Sequence, residues 1–152
     1  MALAPQNIHC QAGDVRGIVL DVLAVSVDAT ASGVTVLGIL NGAQAAYRAK
    51  FGQWNTSFDF RVFFVSLHVT AASGVLVVPT LSLGSNGTSY NDIMIGTALT
   101  GLSGAGKHSV FVPLGSTTAP YGSTVACNVT TPATATALTL EVSLIGCFCT
   151  ST

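Results

Sequence analysis

The sequence predicts an all-β fold, an antiparallel β-sandwich or jelly roll of about eight or nine short strands preceded by an N-terminal arm. Three observations carry that expectation. Apolar and polar residues alternate with period two over several stretches. Clusters of Gly, Ser, Asn and Asp punctuate the chain between them. No stretch has the length and periodicity of a helix that could cross over a parallel sheet.

The alternation is clearest near the C-terminus. Val125, Cys127 and Val129 fall on one side of a strand, and Thr124, Asn128 and Thr130 on the other. After a break at Thr131 and Pro132, Leu138, Leu140, Val142 and Leu144 oppose Thr139, Glu141 and Ser143. Successive strand side chains face opposite sides of a sheet, so each run has one buried and one wetter face. A proline cannot donate to a ladder, which keeps Pro132 outside the pairing. The two runs read as antiparallel neighbours, joined by a link too long for a two-residue turn.

Earlier elements follow in order. Residues 1–16 are mixed, include Pro5, and suit an extended arm; residues 17–152 suit a single β-sandwich domain. Ile18 to Val27 is rich in β-branched residues and forms a first strand, closed by a turn cluster from Asp28 to Gly33. Val34 to Leu40 is a second strand, ending at Asn41 and Gly42, a pair suited to a tight turn. From Ala43 to Phe51 helix propensity competes with strand, and the neighbouring strands favour strand.

Phe58 to Thr70 is the most apolar element. Phe63, Val65, Leu67 and Val69 make one face; Phe58, Phe60, Val62 and Phe64 make the other, which turns polar at Ser66, His68 and Thr70. A strand apolar on both faces calls for cover on its second side, from this chain or from another subunit. Further strands are expected over Val75 to Leu83, Tyr90 to Ile95 and His108 to Leu114. A Gly/Ser/Thr-rich loop covers Thr97 to Gly106, and a long connection runs from Gly115 to Gly122.

Composition narrows the function. A chain of 152 residues is long enough to bury a core without disulfide or metal. Only 7% of residues are charged, five basic and six acidic, against a usual share of about a quarter. With a net charge of −1 and no basic cluster, nucleic acid is not an expected partner. Mean hydropathy is strongly positive, yet Gly, Ser, Thr and Asp interrupt every run long enough to span a membrane, and no secretory signal is evident. Sparse charge on an apolar chain suggests that other protein covers part of its surface.

Chemistry is thin. His9, His68 and His108 are scattered without metal-ligand spacing, and Glu141 has no identifiable carboxylate partner. Gly101 to Lys107 imitates a phosphate loop, but His108 stands where Ser or Thr must follow and strand follows in place of helix. Neither a catalytic residue nor a cofactor is expected. Asn55, Asn86 and Asn128 fit the glycosylation pattern, which arises readily by chance in a Thr/Ser-rich chain. Cys147 and Cys149 share a strand face without being placed to bond each other, and Cys10 and Cys127 have no diagnostic spacing. Free, buried thiols are the expected state of all four.

The segment from Pro79 through Gly84 and Tyr90 to Ile93, the Gly/Ser loop after it, and the runs from Ser123 to Thr131 and Leu138 to Gly146 resemble small β-sandwich virion proteins of tailed bacteriophages. The resemblance covers Phe58 to Gly146 and is closest to capsid decoration or cement proteins, which sit on the shell in trimers and reinforce it. It implies a virion component made in the host cytoplasm, with itself and the major capsid protein as partners and no enzymatic activity. Phe58, Phe60, Val62 and Phe64 are then the expected subunit contact, around a three-fold axis. A tail or fibre component and a single-jelly-roll shell protein share this composition. A carbohydrate-binding sandwich would need an aromatic platform seeded by Trp54 and Tyr121.

Overall fold

The computed structural model describes residues 21–40, 58–113 and 118–150, excluding the side chains of Asp21, Phe58, Cys149 and Thr150. The expected arm, the segment from Ala43 to Phe51, Trp54 and Asn55 lie outside the described residues. Among the described residues nine strands carry the fold: β1 (Asp21–Asp28), β2 (Gly33–Ile39), β3 (Phe58–Ser73), β4 (Thr80–Gly84), β5 (Met94–Ala98), β6 (His108–Phe111), β7 (Thr118–Ala119), β8 (Thr124–Thr131) and β9 (Ala137–Thr150).

They form two antiparallel sheets. The larger runs β1-β9-β3-β6, with β7 beside the far end of β3; the smaller runs β2-β8-β4-β5. Consecutive strands β1 and β2, β3 and β4, and β8 and β9 switch sheets, which is the connectivity of a jelly roll. The core between the sheets is filled by alternate residues. Phe60, Val62, Val65, Leu67, Val69, Leu140, Val142 and Leu144 come from the larger sheet, and Leu81, Leu83, Val125, Cys127 and Val129 from the smaller. The rings of Phe60 and Phe148 meet edge to face, centroids 5.0 Å apart, which adds about 1 kcal/mol beyond burial.

Two expectations are corrected by this topology. The runs that become β8 and β9 do not pair with each other: β8 lies between β2 and β4, β9 between β1 and β3. The link between them spans the sandwich, held where Ala133 N–H donates to Ala29 O and Thr134 N–H to Val77 O. A link too long for a tight turn is what allows the chain to change sheets. Nor is β3 apolar on both faces. Its pairing with β9 slips between Val62 and Phe64 and again between Val69 and Ala71. Each slip is a β-bulge, one extra residue that reverses the parity of everything after it. Phe60 and Val62 before the first bulge, and Val65, Leu67 and Val69 after it, therefore all point into the core.

Strand ends shift for local reasons. Val75 to Pro79 is not strand apart from a single bridge between Val77 and Thr134. The expected strand from Tyr90 starts instead at Met94, because the β4–β5 loop is organised by its own polar groups. The Asp92 carboxylate accepts from Ser85 N–H (2.7 Å), Ser85 Oγ (2.9 Å) and Asn86 N–H (3.2 Å). Asn86 Oδ1 in turn accepts from Tyr90 N–H. Tyr90 sits at φ 47°, a left-handed conformation that this network holds in place. The short β7 falls inside the expected long connection, since two residues carry no alternation.

Free thiols are the state of Cys127 but not of every cysteine. Cys127 is free and buried, whereas Cys147 is disulfide-bonded. Spacing along the chain gives no sign of that pairing.

Two measurements test this architecture. A Cβ at Gly146 would collide with the backbone carbonyl of Arg61 and sit 3.0 Å from the Phe60 ring. Gly146→Ala should therefore cost at least about 2 kcal/mol in chemical denaturation, as overpacking against backbone does. Burial pushes the Cys127 thiol up to about 11 from 9.0. The unfolded chain then releases that proton first as pH rises, so stability is lost above about pH 9. The loss should approach about 1 kcal/mol by pH 10 and be missing from the pH profile of Cys127→Ala.

Candidate interaction surface

The parity switch decides what β3 shows to solvent. Before the first bulge its outward residues are Asp59 and Arg61; after it they are Phe64, Ser66 and His68. Of the four residues expected at a subunit contact, Phe60 is 0% exposed and Val62 2%, both packed in the chain's own core, while Phe64 is 46% exposed. Phe58 pairs with Thr150 at the end of the ladder. The expected contact therefore reduces, among described side chains, to Phe64, because the bulge turns its predecessors inward.

Phe64 is not isolated. It lies opposite Ile145 of β9, which lies opposite Val22 of β1. On the other side, continuing the β3–β6 register one step past Phe111 brings Val112 level with Phe64. Val22, Phe64 and Val112 are exposed and Ile145 half-buried. These four side chains make one apolar row across the outer face of the larger sheet, roughly 15 Å long at the usual strand spacing.

The next rows change character. Ala24, Ser143, Ser66 and Val110 follow, and then Ser26, Glu141, His68 and His108. The outer face thus grades from apolar near the start of β1 to polar and titratable near the β1–β2 turn. At that turn Thr30 donates its hydroxyl (2.7 Å) and its backbone N–H (2.9 Å) to Asp28, holding the Asp28 carboxyl below its ordinary value. Sequence reasoning missed Val22, Ile145 and Val112. Ile145 was detectable as the one large apolar residue on the wet side of its strand.

The smaller sheet offers less. Val34, Val36 and Ile39 are exposed along its edge strand β2. Their cross-strand neighbours are Asn128, Ala126 and Thr124, so the apolar strip is one strand wide. A bulge between Val36 and Gly38 also blunts that edge. Leu76 stands 82% exposed at the tip of the β3–β4 loop. Tyr121 is exposed in the turn before β8, where its N–H donates to Asp59. Among the described residues no group of three or more His, Cys, Asp or Glu could hold a metal ion.

No protein-family model matches the chain, and no curated protein matches it in sequence. Solved structures that share its fold include two phage capsid chains. One is a chain from the acidic stable capsid structure of Helicobacter pylori bacteriophage KHP30, at 13% identity and a TM-score of 0.54, covering 88% of this chain and 94% of that one. The other is a chain of the cyanophage Pam1 capsid asymmetric unit, at 16% identity and a TM-score of 0.50, covering 86% and 84%. At such identities the likeness is one of fold, and it extends over most of each chain.

The exposed row and its buried counterpart give a paired test. Phe64→Asp should cost about 1 kcal/mol, because it removes a cross-strand apolar pair with Ile145 and puts a poor strand former at a half-exposed position. Phe60→Ala should cost about 3–5 kcal/mol, as loss of a buried aromatic does. Equal costs in equilibrium unfolding would mean that the bulge is misplaced.

Proposed function

We propose that this protein is a non-enzymatic structural component of a bacteriophage virion. Its role is that of a decoration or cement protein, bound to the outside of the head and stabilising the shell. The observation that carries the reading is that the two solved chains described above, which share its fold, belong to phage capsids and are matched over most of their length. Sparse charge and the apolar row of Val22, Ile145, Phe64 and Val112 support it, because such a surface gains by being covered. The partners are other copies of the chain, in the trimeric grouping that the family resemblance implies, and the major capsid protein. The contribution is mechanical. Anything that binds the assembled shell and not its dissociated subunits shifts the equilibrium toward the shell and slows its opening.

A second reading has an observation in its favour. Jelly-roll connectivity also builds shells made wholly of such domains, so the chain could form the shell itself.

One experiment separates the two. Expressed alone, a decoration protein should give small oligomers and no closed particles. Added to phage heads assembled without it, the protein should co-sediment with them and raise the temperature at which they rupture. Closed particles from the protein alone would favour the second reading. Heads left bare at micromolar protein would sink the first.

A further inference from the structure

The register of the larger sheet brings together two histidines that are far apart in sequence. His68 of β3 lies directly opposite His108 of β6. Leu67 and Val69, on either side of His68, are buried in the core, so strand alternation sends the His68 side chain to the outer face. Residues directly opposite in a ladder share a face, and both histidines are exposed.

The hydrogen bonds beside the pair fix its type. Val69 N–H donates to Lys107 O at 2.8 Å, and Gly106 N–H donates to Val69 O at 2.8 Å. Gly106 and Lys107 together thus oppose the single residue Val69, with Gly106 at φ 78°. This is a bulge opened by a left-handed glycine. Val69 directs both of its backbone groups at β6, and the two kinds of antiparallel pair alternate, so His68 and His108 form a non-hydrogen-bonded pair. That is the closer kind, with Cα atoms about 4.5 Å apart and side chains adjacent.

Two imidazole nitrogens in neighbouring positions on one ion, each about 2.1 Å from it, stand about 3 Å apart. Rings rooted side by side on one face reach that spacing by rotation about their own side-chain bonds. Imidazole suits late first-row divalent ions. Glu141 also flanks His68, but from β9 on the opposite side. It stands two strands from His108, about 10 Å, and among the described residues the three do not make a three-ligand site.

We propose that His68 and His108 are a two-histidine chelate for late first-row divalent ions, with water in the remaining positions. Cu2+ is held more tightly than Ni2+ or Zn2+. The ion clips β6 to β3 at the first residue of β6, the last strand of the larger sheet among the described residues. The site follows from the strand register, and it stands whether or not the protein belongs to a capsid.

Calorimetric titration of the metal-free protein with Ni2+ tests this, together with thermal melts. The protein should bind one Ni2+ per chain, and Ni2+ at ten times Kd should raise the melting temperature by about 3–5 °C. A chelate needs both rings, so His68→Gln and His108→Gln should each weaken binding about tenfold or more, and the double variant should do little worse than either. His9→Gln and Glu141→Gln should bind as the unaltered protein does. Melts without metal check that each variant is folded. Bound Cu2+ should show coupling to two imidazole nitrogens in its paramagnetic resonance spectrum, a readout that needs no variant. Absence of Ni2+ binding at millimolar concentration would overturn the proposal. So would binding that survives in the double variant or is lost in His9→Gln, or a Cu2+ spectrum of a single nitrogen or of sulfur.

Discussion

The pairing of β3 with β9, slipped by one residue at Phe63, is the constraint on which the rest of the molecule depends. These are the two longest strands, and they lie side by side in the middle of the larger sheet. A strand sixteen residues long twists, and an unbroken alternation from Phe58 to Ser73 would have sent Phe60 and Val62 to one side and Val65, Leu67 and Val69 to the other. The bulge puts all five into one core. The same slip leaves Phe64 as the large apolar residue of β3 on the outer face. From Phe60 to Val69, as far as the second slip, the core and outer faces of β3 are thus set together by this one bulge, and neither can be changed without the other.

From that arrangement the outer face acquires its grading. The ladders on both sides of β9 align Val22, Ile145 and Phe64 in one row and Ser26, Glu141 and His68 in another. A row of exposed apolar side chains three or four strands wide differs from scattered exposed valines. Contiguous apolar area on a folded domain is what partner proteins cover, while single exposed residues need no explanation. The edge strand β2 supplies the contrast: its exposed valines have small or polar neighbours, and its bulge discourages strand-to-strand association.

Much of the fold was legible in the sequence, for physical reasons that are easy to name. Alternation in β8 and β9 identified Val125, Cys127, Val129, Leu140, Val142 and Leu144 as inward residues, because a strand with one wet face must alternate. Strand existence was clear where apolar runs were bounded by Gly, Asn and Ser. What alternation cannot encode is an insertion in register. Val62 and Val65 are three apart and still share a face, and only the partner strand reveals why. Sheet membership was hidden too, since neighbouring strands in sequence pair or cross over according to how the link between them packs. The candidate surface was legible in part. Phe64 was found and its companions Val22, Ile145 and Val112 were not, because a row across strands has no signature along any one of them.

If the outer face of the larger sheet is covered in the working assembly, its side chains must lose contact with water when the particle forms. Hydroxyl-radical footprinting, comparing side-chain oxidation in the free protein and in its native particle, reads that face residue by residue. Strong protection of Phe64 and Val112 on assembly, with Leu76 of the β3–β4 loop serving as a reference for exposed apolar residues, is the predicted result. Phe64 and Val112 oxidised to the same extent in both states would contradict it.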